Sequence, residues 1–187
     1  MSLPEEIAPV RIIIVNNDFA ETSYIKVWLE KDMRVPWRIS HCISVDEARS
    51  RVKKADLVIL KPEMDGFSSP KEVFKDIDKM LFEIPIIVLT SKGDERGLST
   101  YVMEQGAADT LIRGQFTRLV DAIEFALIRQ KIKTNVRKTN DKTLIESEDK
   151  GKADLKISND DNLIEEERHK QILRMFSGDY TVDPQEK

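Results

Sequence analysis

The chain reads as an α/β protein: a doubly wound, largely parallel five-stranded sheet with helices on both faces, followed by a charged C-terminal extension. Three observations predict this. Several short runs are almost wholly apolar, without the alternation of a half-exposed strand, so they suit strands covered on both faces. Segments with helical spacing and recognisable start signals lie between them. Strand and helix readings alternate in one regular order, β-α five times over. That order implies parallel strands joined by crossover helices.

Arg11-Ile12-Ile13-Ile14-Val15 is a β-branched run ended by Asn16-Asn17-Asp18, a buried first strand with a polar loop at its carboxyl end. Tyr24, Val27 and Trp28, with Ile25, then recur at helical spacing and predict a first helix ending near Lys31. Val35-Pro36 breaks the pattern, and 37–43 alternates as a second strand. Ser44-Val45-Asp46-Glu47 is a capping box that opens a helix to about Lys54, with Ala48 and Val52 inward. Leu57-Val58-Ile59-Leu60 is the central strand, and Pro62 and Gly66 stop any regular element after it.

Ser69-Pro70-Lys71-Glu72 opens the third helix, with proline at the first helical position and Val73, Ile77, Met80 and Leu81 as the apolar stripe. Residues 85–90 form a fourth strand. A more polar helix over 94–105 stops at Gly106, and Thr110-Leu111-Ile112 is a short fifth strand. From Thr117 a long helix uses Leu119, Val120, Ile123, Ala126 and Leu127. The expected domain spans 9–133. Residues 134–161 are rich in Lys, Asp, Asn, Ser and Thr without aromatics and read as a charged linker. Residues 162–187 read as a short helix and a loose end.

Hydrophobic residues make up 40% and charged residues 34% of the chain, which permits a core under a highly charged surface. A net charge of −4 argues against a general nucleic-acid binder, which needs a basic face. The single cysteine, Cys42, excludes an internal disulfide and a cysteine-based zinc site, and its apolar setting suits a buried thiol. No apolar run follows a basic start and none is long enough to span a bilayer, so a cytoplasmic protein with no membrane partner is expected. No Gly-rich phosphate loop or nucleophile–base pair is found, so neither an enzyme nor a cofactor is expected.

In an open α/β sheet the carboxyl ends of the strands are where ligands and chemistry sit. There, "DLVIL…PEMDG", "PIIVLTSKGD" and "QGAAD" fall in order between the right elements, and the chain over 11–133 resembles response-regulator receiver domains, the CheY-like superfamily. The resemblance implies the strand order 2-1-3-4-5. It also implies a phosphorylation site: an acidic pair that holds Mg²⁺, an acceptor aspartate after the third strand, a Thr or Ser after the fourth, and a Lys after the fifth. The matching positions here are altered. The acidic pair falls on Asn16 and Asn17; Asp18 is the only carboxylate left in that loop, and it and Asp65 are the residues that could hold a residual metal. The acceptor falls on Lys61, or on Val58 in the other alignment. Thr90 matches the hydroxyl, Arg113 the lysine, and Thr110 the switch aromatic.

The resemblance therefore implies an atypical receiver, a pseudo-receiver acting through protein–protein contact rather than aspartyl phosphorylation. Its partner surface would be the face of the fourth helix, fifth strand (Thr110, Leu111, Ile112) and fifth helix, with a homodimer as one option. A basic side chain is expected to fill the space of metal and phosphoryl. Lys61 would pair with Asp18, or Arg113, favoured for its planar fork, would hold Asp18 and an Asn oxygen. Glu63 is expected to be exposed beyond its proline, and His41 packed. Two alternatives stand beside this reading: a conventional phosphorelay receiver with a displaced acceptor, and an antiterminator-like, nucleic-acid-linked regulator with an N-terminal pseudo-receiver.

Overall fold

The computed structural model describes residues 8–80, 84–93 and 95–148. Five parallel strands run β1 (Val10–Val15), β2 (Trp37–Cys42), β3 (Leu57–Leu60), β4 (Ile86–Thr90) and β5 (Asp109–Ile112). They lie in the order β2-β1-β3-β4-β5. The helices between and after them are α1 (Phe19–Asp32), α2 (Val45–Arg51, continued by a 3₁₀ turn over Val52–Lys54), α3 (Pro70–Met80), α4 (Glu95–Glu104) and α5 (Leu119–Glu148). Residues 9–127 form one compact unit, and α5 continues beyond it.

The three central strands are buried along nearly their whole length, as their unbroken apolar runs require. Side chains alternate between the two faces. Ile13, Val15, Val58, Leu60, Ile86 and Val88 form one core with side chains of α2, α3 and α4. Ile12, Ile14, Leu57, Ile59, Ile87 and Leu89 are buried on the opposite face. In register, Val15 pairs with both Cys42 and Leu60, and Leu60 with Val88. β1, β2 and β3 therefore end level, β4 and β5 run on to the Thr90–Ile112 pair, and the loops after β1, β3, β4 and β5 open on one edge.

Local signals carry most of the element boundaries. Ser44 accepts the Glu47 N–H at 3.2 Å as the predicted cap, while the Glu47 carboxylate reaches one residue further back than a capping box requires and accepts the Ile43 N–H at 2.9 Å. Gly106, at φ 103°, ends α4 in the left-handed region.

Two expectations need correction. In α1 the inward face is Thr22, Ile25 and Leu29, whereas Tyr24 and Val27 are exposed. The aromatics pack among themselves: Tyr24 meets Trp28 edge-on at 6.3 Å and Phe116 at 5.8 Å. Residues 134–148, read above as linker, are helical. They contain neither Pro nor Gly, and a helix already nucleated propagates cheaply through polar residues. The expectations for Leu81, for the rest of the linker and for 162–187 fall outside the described residues.

Candidate functional site

The site lies where the strands end. Val58 sits within β3, fully buried. The residue at the carboxyl end of β3 is Lys61, whose N–H bonds to Val15 O at 2.9 Å. Its side chain does not reach solvent freely: only 9% of the residue is exposed. Nζ donates to Asn17 Oδ1 at 2.7 Å, so the ammonium is held by the loop after β1. The expected Lys61–Asp18 hydrogen bond is not formed; the lysine acts on Asp18 through its charge alone.

The loop after β1 is built by its own polar side chains. Asn16, fully buried, accepts the Asp18 N–H at its Oδ1 (2.8 Å) and donates from Nδ2 to Glu21 Oε2 (2.9 Å). Asp18 caps α1 by accepting the Glu21 N–H at 3.0 Å. That backbone hydrogen bond holds the Asp18 carboxyl below its ordinary value, opposed by burial and assisted by the charges of Lys61 and Arg113. His41 Nε2 lies 2.7 Å from the carbonyl of Asn16. A carbonyl can only accept, so this nitrogen carries the proton. The imidazole thereby pins the same loop from β2 and meets Phe19 edge-on at 5.0 Å.

Arg113, just beyond β5, closes the site from the other side. Its Nε donates to Glu21 Oε1 and Oε2 at 2.9 and 3.1 Å, while its Nη2 lies 3.7 Å from Asp18 Oδ2. The guanidinium therefore takes Glu21 as its main partner, not Asp18 with an Asn oxygen. The side chain of Glu21 is only 10% exposed, so its charge is the one that most requires compensation. The Glu21 bond also heads the causes that raise the Arg113 pKa; burial opposes it, and the charges of Glu63 and Asp18 add.

Glu63 is the second departure from expectation. Its carboxylate is not solvent-exposed: Oε1 accepts from Ser91 Oγ at 2.7 Å, and Oε2 is buried without a hydrogen bond from the described residues. The link ties the loop after β3 to the loop after β4. Thr90, by contrast, turns away, its hydroxyl 3.4 Å from the Leu111 carbonyl inside the sheet.

Of the expected site residues, the structure brings together Asn16, Asn17, Asp18, Lys61 and Arg113, and directs the Thr90 hydroxyl elsewhere. The partners that sequence reasoning missed are Glu21, His41, Glu63 and Ser91. Only Glu21 carried a local signal, because Asp18-Phe19-Ala20-Glu21 is itself a capping-box spacing.

This set does not suit a hard divalent cation. The Asn16 and Asn17 amide oxygens and one Asp18 oxygen are committed to N–H donors, and Glu21 to a guanidinium. Two fixed positive charges, Lys61 and Arg113, stand among them. No group of three or more His, Cys, Asp or Glu with metal-binding geometry occurs among the described residues.

The sheet order and the helices are those of response-regulator receiver domains of the CheY-like type. The chain is similar in structure to a receiver domain protein from Clostridium thermocellum, with 23% identity and a TM-score of 0.56, over 66% of this chain and 98% of that one. It is similar to a CheY-like receiver domain protein from Methanospirillum hungatei at 17% identity and TM-score 0.55, over 67% and 99%. A structure of adenylate cyclase from Rhodopirellula baltica superposes at 20% identity and TM-score 0.59, over 72% and 99%. No protein-family model and no curated protein matches the sequence. Among the described residues, no helix is long and apolar enough to cross a membrane.

Proposed function

We propose that this chain is a receiver module of two-component-type signalling that works through phosphorylation-independent protein–protein contact, as a non-enzymatic cytoplasmic protein. The observation that supports it is the Lys61–Asn17 hydrogen bond of 2.7 Å at the carboxyl end of β3. Where the resemblance calls for a nucleophilic carboxylate, an ammonium is bonded to the loop that would hold the metal. An ammonium cannot accept a phosphoryl group, and its charge repels the cation that phosphoryl transfer uses. The Arg113–Glu21 pair and the Glu63–Ser91 bond join the same loops, so one arrangement is held without a ligand.

The partner would engage α4, β5 (Thr110, Leu111, Ile112) and the start of α5. Two large apolar side chains are exposed on these helices, Met103 at 46% and Phe125 at 54%. A second copy of the chain is one occupant that this surface admits.

The test is intact-mass and peptide mass spectrometry after incubation with acetyl phosphate and Mg²⁺. No acid-labile phosphoryl adduct is expected. An adduct on any carboxylate of the site would overturn the reading, and one on Glu63 would replace it with a phosphorelay receiver whose acceptor is displaced.

A further inference from the structure

A cavity of about 480 Å³ lies between α4, β5 and the loop that enters α5. It exists because the sheet ends at β5 and because a small residue, Thr110, stands half-buried on that edge strand. Its volume is in the range that accommodates small molecules.

The lining has a definite chemistry. Five hydroxyls border the cavity, from Thr90, Ser99, Thr100, Thr110 and Thr117. Thr90 is directed to the Leu111 carbonyl; the other four have no hydrogen-bond partner among the described residues. Each of those four can donate one hydrogen bond and accept others, and the Gln115 side chain adds a carbonyl oxygen and an amide. Ile112, on the same face of β5 as Thr110, supplies an apolar patch. The one charge, on Arg118, is neutralised: its Nη2 bonds Asp109 Oδ2 at 2.8 Å, while Asp109 Oδ1 accepts the Thr110 N–H at 2.7 Å.

Each ligand class meets this lining differently. An anion that used the remaining Arg118 donors would sit beside the Asp109 carboxylate and be repelled by it, and a cation would have to displace Arg118 from Asp109. A purely apolar molecule would strip water from four hydroxyls and return no hydrogen bonds. A neutral compound with several adjacent hydroxyls satisfies the walls and rests a carbon face on Ile112. We propose that this cavity is a binding site for a small neutral polyol, of the size of a pentose or a cyclitol. The proposal stands on the cavity alone and does not depend on how the carboxyl-end site behaves.

The experiment is a ¹H–¹⁵N titration of the full chain with D-ribose and myo-inositol as probes, with inorganic phosphate and cyclohexanol as the charged and apolar controls. The expected result is a saturable shift of the Ser99, Thr100, Thr110 and Thr117 amides with at least one polyol, in the millimolar range typical of a few exposed hydrogen bonds. Neither control should match it. Thr110→Tyr, which fills the cavity, and the double variant Ser99→Ala/Thr100→Val, which nearly keeps its shape and removes two hydroxyls, should each weaken binding about tenfold or more. Should Thr110→Tyr fail to fold, the double variant decides. No saturable shift up to about 100 mM of either polyol would overturn the proposal. So would undiminished binding in the double variant, or tighter binding of phosphate or cyclohexanol than of the polyols.

Discussion

The two ends of the central strands both hold buried charge, and they hold it in opposite ways. At the amino end, Asp56 precedes β3 with its side chain 1% exposed. Arg11 meets it with its backbone N–H at 2.7 Å and its guanidinium at 3.0 and 3.3 Å. At the carboxyl end, two cations, Lys61 and Arg113, are held by Asn17, Asp18 and Glu21 from the loop after β1 and the first turn of α1. In the first arrangement the Arg11–Asp56 pair fastens the start of β1 to the start of β3. The second is a network in which every member also holds a loop. One stabilises the sheet, whereas the other sets the shape of its functional edge, and the contrast can be tested by removing charges one at a time.

The largest effect is expected from Asp56→Ala. It removes a buried carboxylate that accepts both the Arg11 N–H and its guanidinium, and should cost about 2–4 kcal/mol in urea unfolding. A loss below about 1 kcal/mol would show that this end is no more closed than the other.

Arg113→Ala should cost less, about 1–2 kcal/mol, because Glu21 keeps the Asn16 amide as a donor and its site can take up water. Lys61→Met should cost still less, under about 1 kcal/mol: methionine keeps the apolar stem, and Asn17 is exposed and can rehydrate. Crystal structures or amide exchange of Lys61→Met should show the change concentrated in the loop after β1. If Lys61→Met destabilised the fold as much as Asp56→Ala, the two ends would be alike and the network would be structural.

The smallest effect is the pH response of Asp18. Its folded pKa lies below the ordinary carboxylate value of 3.8, foremost because of the Glu21 N–H. A depressed carboxylate contributes stability that is fully present above its unfolded pKa and is lost as pH falls through the lower folded value. Asp18→Asn keeps a good helix cap and removes the charge. The stability gap between wild type and this variant should be complete at about pH 6 and should close by about pH 2. A gap that persists in acid would assign the effect to cap geometry instead of charge.

The fold was legible because its signals are local. Unbroken runs such as Ile12-Ile13-Ile14-Val15 and Ile86-Ile87-Val88-Leu89 admit few readings other than covered strands, and capping boxes mark helix starts within four residues. The carboxyl-end site was legible only in outline. Its positions could be read off the strand ends, but the pairing could not. Glu21 and Arg113 are 92 residues apart and Ser91 and Glu63 are 28 apart, and nothing in the sequence near either member announces the other. Tyr24 and Val27 show the same limit in packing: their spacing is helical, but which stripe faces inward depends on what the sheet presents.

Residue order alone settled the alternation of elements, their approximate ends, and the presence of amides, lysine and arginine at the edge where the strands end. These follow from backbone preferences and from the apolar period, which act over a few residues. Three-dimensional packing chose the partners: Lys61 for Asn17 and not Asp18, Arg113 for Glu21, Ser91 for Glu63, and an open hydroxyl-lined cavity at Thr110. Each of those choices is a competition among several charges or hydroxyls of similar reach. It is decided by distances of a few ångströms and by which carboxylate is most deeply covered, and both exist only once the strands have been brought into register.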